Sequence, residues 1–290
     1  MIDEDYIRSG EIARKAREYG KTLVKEGVKY IDIAEKIENK IIELGGKPAF
    51  PVDVSVNHIA AHDSPLYNDK RIIKKGDLVK LDLGVHINGK VTDTACTVEV
   101  ETNKYKRLIE SAEEALKKAI EICEHGVKLR EIGGVIQKVI NEYGFSPIKN
   151  LSGHGVDEYE VHCAPTIPNY DNGNENILER GMIIAIEPFS TNGEGRIKDG
   201  KFCEVYQLIN LKNVRDNFSR VILKFINEEY KTLPFCARWL IKKFGLRVKL
   251  TLKQMELQGI IKQYHILPEV SKGIVAQAEH TLIVGGEVLT

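Results

Sequence analysis

Apolar side chains that recur every three or four residues line one face of a helix. They recur at this spacing in residues 31–44, 106–123 and 129–143, and Gly45 and Gly144 directly follow two of these segments. Because glycine commonly follows the end of a helix, the pattern predicts three amphipathic helices.

Two of these helices lie in segments that resemble each other. Residues 27–45 and 126–144 align without gaps, both begin with Gly-Val-Lys, and isoleucine recurs at three matched helical positions. We interpret the similarity as a duplicated half-domain, while two unrelated amphipathic helices with similar ends are the alternative. Two copies are too few for a solenoid.

Strand patterns lie between and after the helices. Residues 78–100 alternate around Asn88-Gly89, a strong signal for a two-residue hairpin turn. Residues 181–190 predict an apolar strand, and residues 273–290 predict two short strands around Gly285-Gly286. Since strands and helices intermix, the sequence predicts the α+β class.

The composition is that of an ordinary globular protein, with 42% apolar and 29% charged residues. No apolar run approaches the roughly 20 residues of a membrane span, and the acidic N-terminus does not resemble a signal peptide. Five scattered cysteines without a C-x-x-C pair indicate a reducing compartment. We therefore expect a cytoplasmic protein that does not contact membranes.

The net charge is zero, but the charges are unevenly distributed. Residues 195–266 carry 15 Lys or Arg and 6 Asp or Glu, a balance of +9. Residues 193–266 are also largely helical in pattern and interrupt a strand-rich chain. We predict that they form a basic helical insertion whose charged face is solvated; the alternative is that this face docks on ribosomal RNA.

The predicted hairpin brings two acids together. A two-residue turn at Asn88-Gly89 places Asp82 opposite Ala95 and Asp93 opposite Gly84, so the two aspartates are diagonal neighbours about 7–8 Å apart at the backbone. A buried acidic pair is costly unless a cation neutralises it. The hairpin alone leaves two interpretations open, a metal-binding pair or two aspartates on a solvent-facing strand face.

Three further side chains occupy positions where burial is expected. His154 is flanked by glycines, Glu187 follows an apolar strand, and Glu279 lies within one. His154 alone is a weak signal, because a lone histidine is usually structural or exposed, whereas a carboxylate within or directly after an apolar strand needs a partner. Four carboxylates and one neutral imidazole balance two divalent ions, and this is the ligand set of a dinuclear hydrolase.

His62 and His162 are the other notable histidines. Next to a metal site they are candidates for donating protons or stabilising an oxyanion; otherwise they are capping or surface residues. The chain contains no phosphate-binding loop, no H-E-x-x-H and no G-x-S-x-G, which argues against the enzyme classes that use these motifs.

Six stretches of the sequence resemble one family. They occur in the same order as in that family and extend over essentially the whole chain. They are AFPVDVSVNHIAAH (49–62), VKLDLGVHINGKVTDTACTV (79–98), NLSGHGVDEYEVHCAPTIPN (150–169), AIEPFSTNGEG (185–195), TLPFCARWL (232–240) and GIVAQAEHTLIV (273–284). The chain is similar to type 2 methionine aminopeptidases, the archaeal and eukaryotic form. The resemblance implies the pita-bread (creatinase/aminopeptidase) fold, with pseudo-duplicated halves and an inserted, winged-helix-like helical subdomain at 193–266 within a catalytic domain of 1–192 and 267–290.

The resemblance also implies a reaction, in which a metal-bridging hydroxide attacks the methionyl carbonyl and the initiator methionine leaves a nascent chain whose second residue is small. It implies two divalent ions, of Co, Mn, Fe or Zn. Their ligands would be Asp82, Asp93, His154, Glu187 and Glu279. The catalytic residues would be His62, His162 and Glu187, and the substrate-binding residues His62, His162 and Phe50.

The partner implied by the resemblance is the N-terminal methionine of nascent polypeptides, with a ribosome contact through the basic insertion left open. We expect a monomer and no DNA binding. Two residues depart from the family: Asp63 replaces a usual aromatic, and Ala278 replaces a usual phenylalanine. Strand alternation points Ala278 away from Glu279, so we expect its ligation to be kept, whereas Asp63 could alter the surroundings of His62.

Two alternative functions remain. An Xaa-Pro peptidase would use the same ligands, but the insertion and TLPFCARWL favour the methionine enzyme. A non-catalytic RNA- or ribosome-binding homologue would be expected to lack metal ligands, and all five are present here.

Overall fold

A computed structural model describes residues 3–290. The helices are α1 (Glu4–Leu23), α2 (Tyr30–Glu43), α3 (Lys106–Glu121), α4 (Leu129–Glu142), α5 (Asn217–Glu229), α6 (Ala237–Phe244) and α7 (Val248–Leu257). The strands are β1 (Lys47–Pro48), β2 (Asp53–Val56), β3 (Ile59–Ala61), β4 (Leu78–Ile87), β5 (Lys90–Glu99), β6 (Ser146–Pro147), β7 (Ser152–Asp157), β8 (Glu160–Pro168), β9 (Ile183–Ile186), β10 (Phe189–Thr191), β11 (Phe202–Leu208), β12 (Phe235–Cys236), β13 (Ile261–His265), β14 (Leu267–Pro268), β15 (Val275–Gln277) and β16 (Glu279–Ile283). Across residues 3–290, no helix is both long enough and apolar enough to cross a membrane.

The hairpin of β4 and β5 has the register that the sequence predicts. Asn88 and Gly89 both adopt positive φ, at 51° and 92°, as a type I′ turn requires. Asp82 lies opposite Ala95, and Asp93 lies opposite Gly84. The two aspartates therefore share one face of the hairpin.

The hairpin belongs to an eight-stranded sheet of order β1-β4-β5-β16-β9-β7-β8, with β2 paired to β4. Helices α1 and α2 pack against one half of the sheet, and the side chains of Leu81 and Leu83 lie in their shared core with Ile33 and Ile37. Helices α3 and α4 belong to a second core around Ile184. The α+β prediction is confirmed.

The internal repeat is preserved in three dimensions. Helix α4 begins and ends 99 residues after α2, and the short strand β6 follows β1 by the same 99 residues. Gly27 and Gly126, which precede the two helices, have φ values of 82° and 89°. This correspondence supports duplicated halves rather than two chance helices.

Two strand predictions are wrong in detail. Residues 181–190 form two strands, because Pro188 has no N–H to continue the ladder; β9 stays in the main sheet and β10 joins β15 and β6. Residues 273–290 also divide earlier than expected, at Ala278, and beyond Gly285-Gly286 only an isolated bridge at Val288 follows. Ala278 donates its N–H to the Pro188 carbonyl. The two segments of the chain therefore leave the main sheet next to each other.

The basic segment contains the predicted helical character but also strands. Helices α5, α6 and α7 share their own core, and they accompany a three-stranded sheet of order β12-β11-β13. Strand β11 lacks the strict alternation of buried and exposed positions that predicts a strand. Its buried apolar residues are Cys203, Val205 and Leu208, and the ring of Tyr206, next to Val205, is buried as well.

One buried ion pair fastens this segment to α2. Arg238 at the start of α6 is 1% exposed, and its two terminal nitrogens donate to the two oxygens of Glu38 at 2.7 and 2.8 Å. Trp239 donates to the same carboxylate at 2.9 Å, and the backbone N–H of Val52 also contacts it at 3.3 Å. Glu38 therefore joins α6 to the chain that leads into β2.

We predict that Glu38→Gln destabilises the protein by about 3–5 kcal/mol, because a buried guanidinium loses its main ion-pair partner and keeps only the longer contact with Glu35, at 3.8 Å. Urea denaturation measures the free energy of unfolding. Glu43→Gln is the matched control: Glu43 lies on the same helix, and its ion pair with Lys40 is exposed, so its loss should cost less than about 1 kcal/mol. Equal stability of both variants would contradict a structural role for the buried pair.

Candidate metal centre

One cavity of about 660 Å³ collects every site residue proposed from the sequence. It lies on the face of the main sheet that carries Asp82 and Asp93. The eight predicted residues in its lining are Phe50, His62, Asp82, Asp93, His154, His162, Glu187 and Glu279.

His154 presents a bare nitrogen to the acids. Its Nδ1 lies 3.2 Å from the carbonyl oxygen of Gly155, and a carbonyl only accepts, so Nδ1 carries the proton and Nε2 keeps its lone pair. Burial lowers the pKa of His154 to about 4, so the ring is neutral at pH 7. A neutral imidazole oriented by a backbone carbonyl is the usual form of a metal-binding histidine.

Three carboxylates surround this nitrogen at similar distances. From Nε2 of His154 to the nearest oxygen, the distance is 3.8 Å for Asp93, 3.9 Å for Glu279 and 4.0 Å for Glu187. These separations are too long for hydrogen bonds. They suit a shared cation, since two ligands at about 2.1 Å from one ion are at most about 4.2 Å apart.

The unsatisfied oxygens of the acids also fit a cation. Among residues 3–290, neither oxygen of Glu279 finds a hydrogen-bond partner, and the same holds for Oδ1 of Asp82 and of Asp93. Buried polar atoms are rarely left this way without a ligand. Carboxylates, an imidazole and empty lone pairs at one point are the donor set that divalent metals use.

The electrostatics explain why the acids need such a partner. Burial raises the pKa of Asp82 to about 6. Burial and the neighbouring carboxylates raise the pKa values of Asp93, Glu187 and Glu279 well above their usual range. Positive charge at the centre would reverse these shifts.

The glycines beside His154 are required by close packing. A Cβ at Gly153 would lie 2.3 Å from the carbonyl oxygen of Ala185, and one at Gly155 would lie 2.2 Å from that of Ala164. Strand β7 thus lies tightly between β9 and β8. The glycines allow this approach and so hold the imidazole toward the cavity.

Two supporting residues were missed by the sequence reasoning. Gln277 donates from Nε2 to Asp82 at 3.0 Å and lies 3.5 Å from Glu187. The hydroxyl of Thr281 accepts from the N–H of Asp93 and donates to its carbonyl, both at 2.8 Å. Both residues lie two positions from Glu279, so the alternation of strand faces could have identified them.

Two cavity-wall residues were also missed. Asp53 lies directly opposite Asp82 in the β2–β4 pair and is buried in the cavity wall. Tyr264 reaches the cavity from β13, and its ring meets His62 edge-on at 5.6 Å between centroids. A predicted pairing of β2 with β4 would have placed Asp53 next to Asp82. No local sequence pattern indicates that Tyr264 reaches the cavity.

The two histidines approach the cavity from different elements. His62 follows β3 in the left-handed region, with φ 64°. The ring of His162 on β8 meets that of His154 at 4.3 Å between centroids. Burial lowers the pKa of His62 to about 4 and that of His162 well below its usual value, so both are neutral at pH 7.

The two departures from the resembled family leave the acids in place. The carboxylate of Asp63 accepts from Arg71 at 2.7 Å. Ala278 packs in the apolar core of the second half, and Glu279 lines the cavity on the other face.

Comparison with known proteins identifies the family. The model of metallopeptidase family M24 matches residues 4–248. The chain belongs to metallopeptidase family M24. A methionine aminopeptidase of Archaeoglobus fulgidus is 45% identical to this M24 chain over 291 aligned positions, covering 100% of the chain and 98% of that relative.

Solved structures agree on the fold of this M24 metallopeptidase. The methionine aminopeptidase of Thermotoga maritima superimposes with a TM-score of 0.72 at 24% identity, covering 100% of this chain and 98% of that one. A prolidase from Pyrococcus furiosus has a TM-score of 0.57 at 32% identity, but covers 64% of this chain and 55% of that one. The pita-bread prediction is confirmed, and the protein is a metal-dependent hydrolase.

We predict that Asp82→Asn changes the stability of the metal-free enzyme in a pH-dependent way. The pKa of Asp82 is about 6 in the folded state and about 3.9 in the unfolded state, so the folded wild type binds more protons. The free energy of unfolding of the wild type therefore falls as pH rises from about 4 to 6. Asparagine does not titrate, so the variant lacks this decrease. The variant should therefore gain on the wild type toward pH 7, by about 1.4 kcal/mol per pKa unit.

Urea denaturation in the presence of a chelator, at pH 4 and pH 7, measures this difference. The histidines with lowered pKa values are present in both proteins, so their contributions cancel in the difference. Added divalent metal should make the wild type the more stable protein at pH 7, because the metal binds the folded wild type more tightly than the folded variant. A difference that does not change with pH would contradict the burial of an ionisable Asp82.

Proposed function

We propose that the chain is a type 2 methionine aminopeptidase that removes the initiator methionine from nascent proteins and peptides with a small second residue. The convergence of Asp93, Glu187 and Glu279 around the bare nitrogen of His154 carries the proposal. The full-length similarity to an archaeal methionine aminopeptidase supports the substrate and the subtype.

The ligand set suggests two divalent ions per chain. Asp82, Asp93, His154, Glu187 and Glu279 would hold them through their carboxylate oxygens and the free imidazole nitrogen. Four carboxylates balance the charge of two such ions. When bound, the ions would lower the pKa of a water molecule and polarise the methionyl carbonyl.

The protein side chains supply the remaining steps. Glu187 would accept the proton of the attacking water and return it to the leaving amine. His162 would donate a hydrogen bond to the developing oxyanion, and His62 would hydrogen-bond near the scissile amide. The pKa values of both rings lie below their usual range, so both are neutral at pH 7, and each offers one donor and one acceptor without adding charge to the cavity.

Substrate selection would depend on the apolar part of the cavity. Phe50 lies along its wall, and Val205, Pro234 and Tyr264 add surface from the basic segment. We assign Phe50 to the methionine side chain. The full-length likeness at 45% identity is to a methionine aminopeptidase, which favours that enzyme over an Xaa-Pro peptidase.

We predict that the metal-loaded enzyme cleaves Met-Ala-Ser faster than Ala-Ala-Ser and does not cleave Ala-Pro. Burying a methionine side chain contributes about 1.5–3 kcal/mol, equivalent to about 10- to 100-fold in kcat/KM. Release of the N-terminal residue, followed by chromatography, measures all three. Preferential cleavage of Ala-Pro would favour the Xaa-Pro peptidase instead.

We predict that Glu187→Gln lowers kcat on Met-Ala-Ser by about 10²–10⁴-fold, because the amide cannot accept the proton. Metal content must be measured in parallel, since Glu187 is also a proposed ligand. Glu142→Gln, at an exposed position on α4, is the matched control and should match the wild type. Near-normal turnover of the Glu187→Gln enzyme with full metal content would reject this role.

Other expectations from the sequence remain predictions: a monomeric, cytoplasmic protein, and a ribosome contact through residues 193–266. An open cleft on this segment is lined by Lys212, Arg215, Arg220 and Lys224, which suits phosphate groups. The proposed reaction does not require it. The presence of all five ligands in one cavity argues against a purely non-catalytic binding protein.

A further inference from the structure

A second cavity lies behind the strands that carry the acids. It measures about 520 Å³ and opens between α1 and α3, on the face of β5 and β16 opposite Glu279. We call it the rear cavity. The apolar residues in its lining are Ala95, Cys96, Leu116, Ile120, Ala278 and Val288. Its volume is within the range of about 300–1,000 Å³ typical of small-molecule sites.

The rear cavity lies where the two halves of the molecule meet. Cys96 belongs to the core of the first half, and Leu116 and Ala278 belong to that of the second. The small side chain of Ala278 leaves space at this junction. The phenylalanine usual in the resembled family would add an aromatic ring here.

One buried cation faces this apolar space. Arg17 on α1 is 7% exposed; its Nη1 donates to the hydroxyl of Thr94 and contacts Nδ1 of His280 at 2.9 Å. Its Nε lies 3.3 Å from Glu18. Within residues 3–290, its Nη2 has no hydrogen-bond partner, and Arg17 lines the rear cavity, so one of the three guanidinium nitrogens is available to a ligand.

The other charges lie at the rim and largely cancel. Lys21 pairs with Glu18 at 2.8 Å, and Glu121 pairs with Lys118 at the same distance. Two further rim residues of opposite sign, Lys117 and Glu113, are exposed. The interior therefore combines apolar walls with the guanidinium of Arg17, one edge of which already contacts Glu18, and with the ring of His280.

We propose that the rear cavity binds a small monocarboxylate with an apolar chain, whose carboxylate pairs with the free side of Arg17. The N–H groups of Nη2 would donate a charge-assisted hydrogen bond to one carboxylate oxygen, because Nε and Nη1 already have partners. An alkyl chain of a few carbons would cover Ala278 and Leu116. This inference does not depend on the proposed peptidase reaction.

Calorimetric titration of the metal-loaded protein with hexanoate tests the proposal. The wild type should bind it saturably. Ala278→Phe, which fills the cavity with an aromatic ring, should weaken binding at least about tenfold, equivalent to about 1.4 kcal/mol. Hexan-1-ol and acetate should bind more weakly than hexanoate, because one lacks the charge and the other lacks the chain.

Arg17→Gln should weaken binding to a similar degree, and Arg14→Gln, an exposed arginine on the same helix, should not change it. If the Arg17→Gln protein does not fold, the Ala278→Phe variant and the ligand series decide. The melting temperature of the Ala278→Phe variant checks that it is folded. Absence of saturable binding, or binding that is unchanged in Ala278→Phe, as expected for hexanoate at the metal centre, would overturn the proposal.

Discussion

The site depends on the confinement of four carboxylates to one cavity, with three of them within 4.0 Å of Nε2 of His154. Lost hydration raises the pKa values of all four, and repulsion by neighbouring carboxylates adds to the rise for Asp93, Glu187 and Glu279. The oxygens of Glu279 find no protein donor among residues 3–290. Such an arrangement persists only if the surrounding strands are rigid enough to oppose the repulsion. The main sheet supplies this rigidity, and a cation completes the balance of charge.

The place where the sheets divide explains how the acids converge. Pro188 ends β9 directly after Glu187, and Ala278 separates β15 from Glu279. The chain therefore turns away from the main sheet next to both glutamates. Gln277 at the end of β15 then bonds to Asp82, and Thr281 on β16 bonds to Asp93. The strands on either side of Ala278 thus fix the positions of both aspartates.

Local rules were sufficient for part of this architecture. The positive φ of Asn88 and Gly89 fixed the hairpin register and with it the shared face of the aspartates. The contact of Arg238 with Glu38 joins residues 200 positions apart, and no periodic pattern encodes such a pairing. The gathering of His154 with Glu279 was inferred from charge balance and family resemblance, because sequence spacing alone does not bring them together.

The substrate wall and the reactive groups come from different parts of the chain. The acids and His154 belong to the duplicated halves, whereas Tyr264 and Val205 belong to the small sheet of the basic segment. Changes in that small sheet can therefore reshape which side chains are accommodated while the chemistry stays intact. Substrate preference can therefore change during evolution through the small sheet alone, as it does through variable loops on a rigid scaffold.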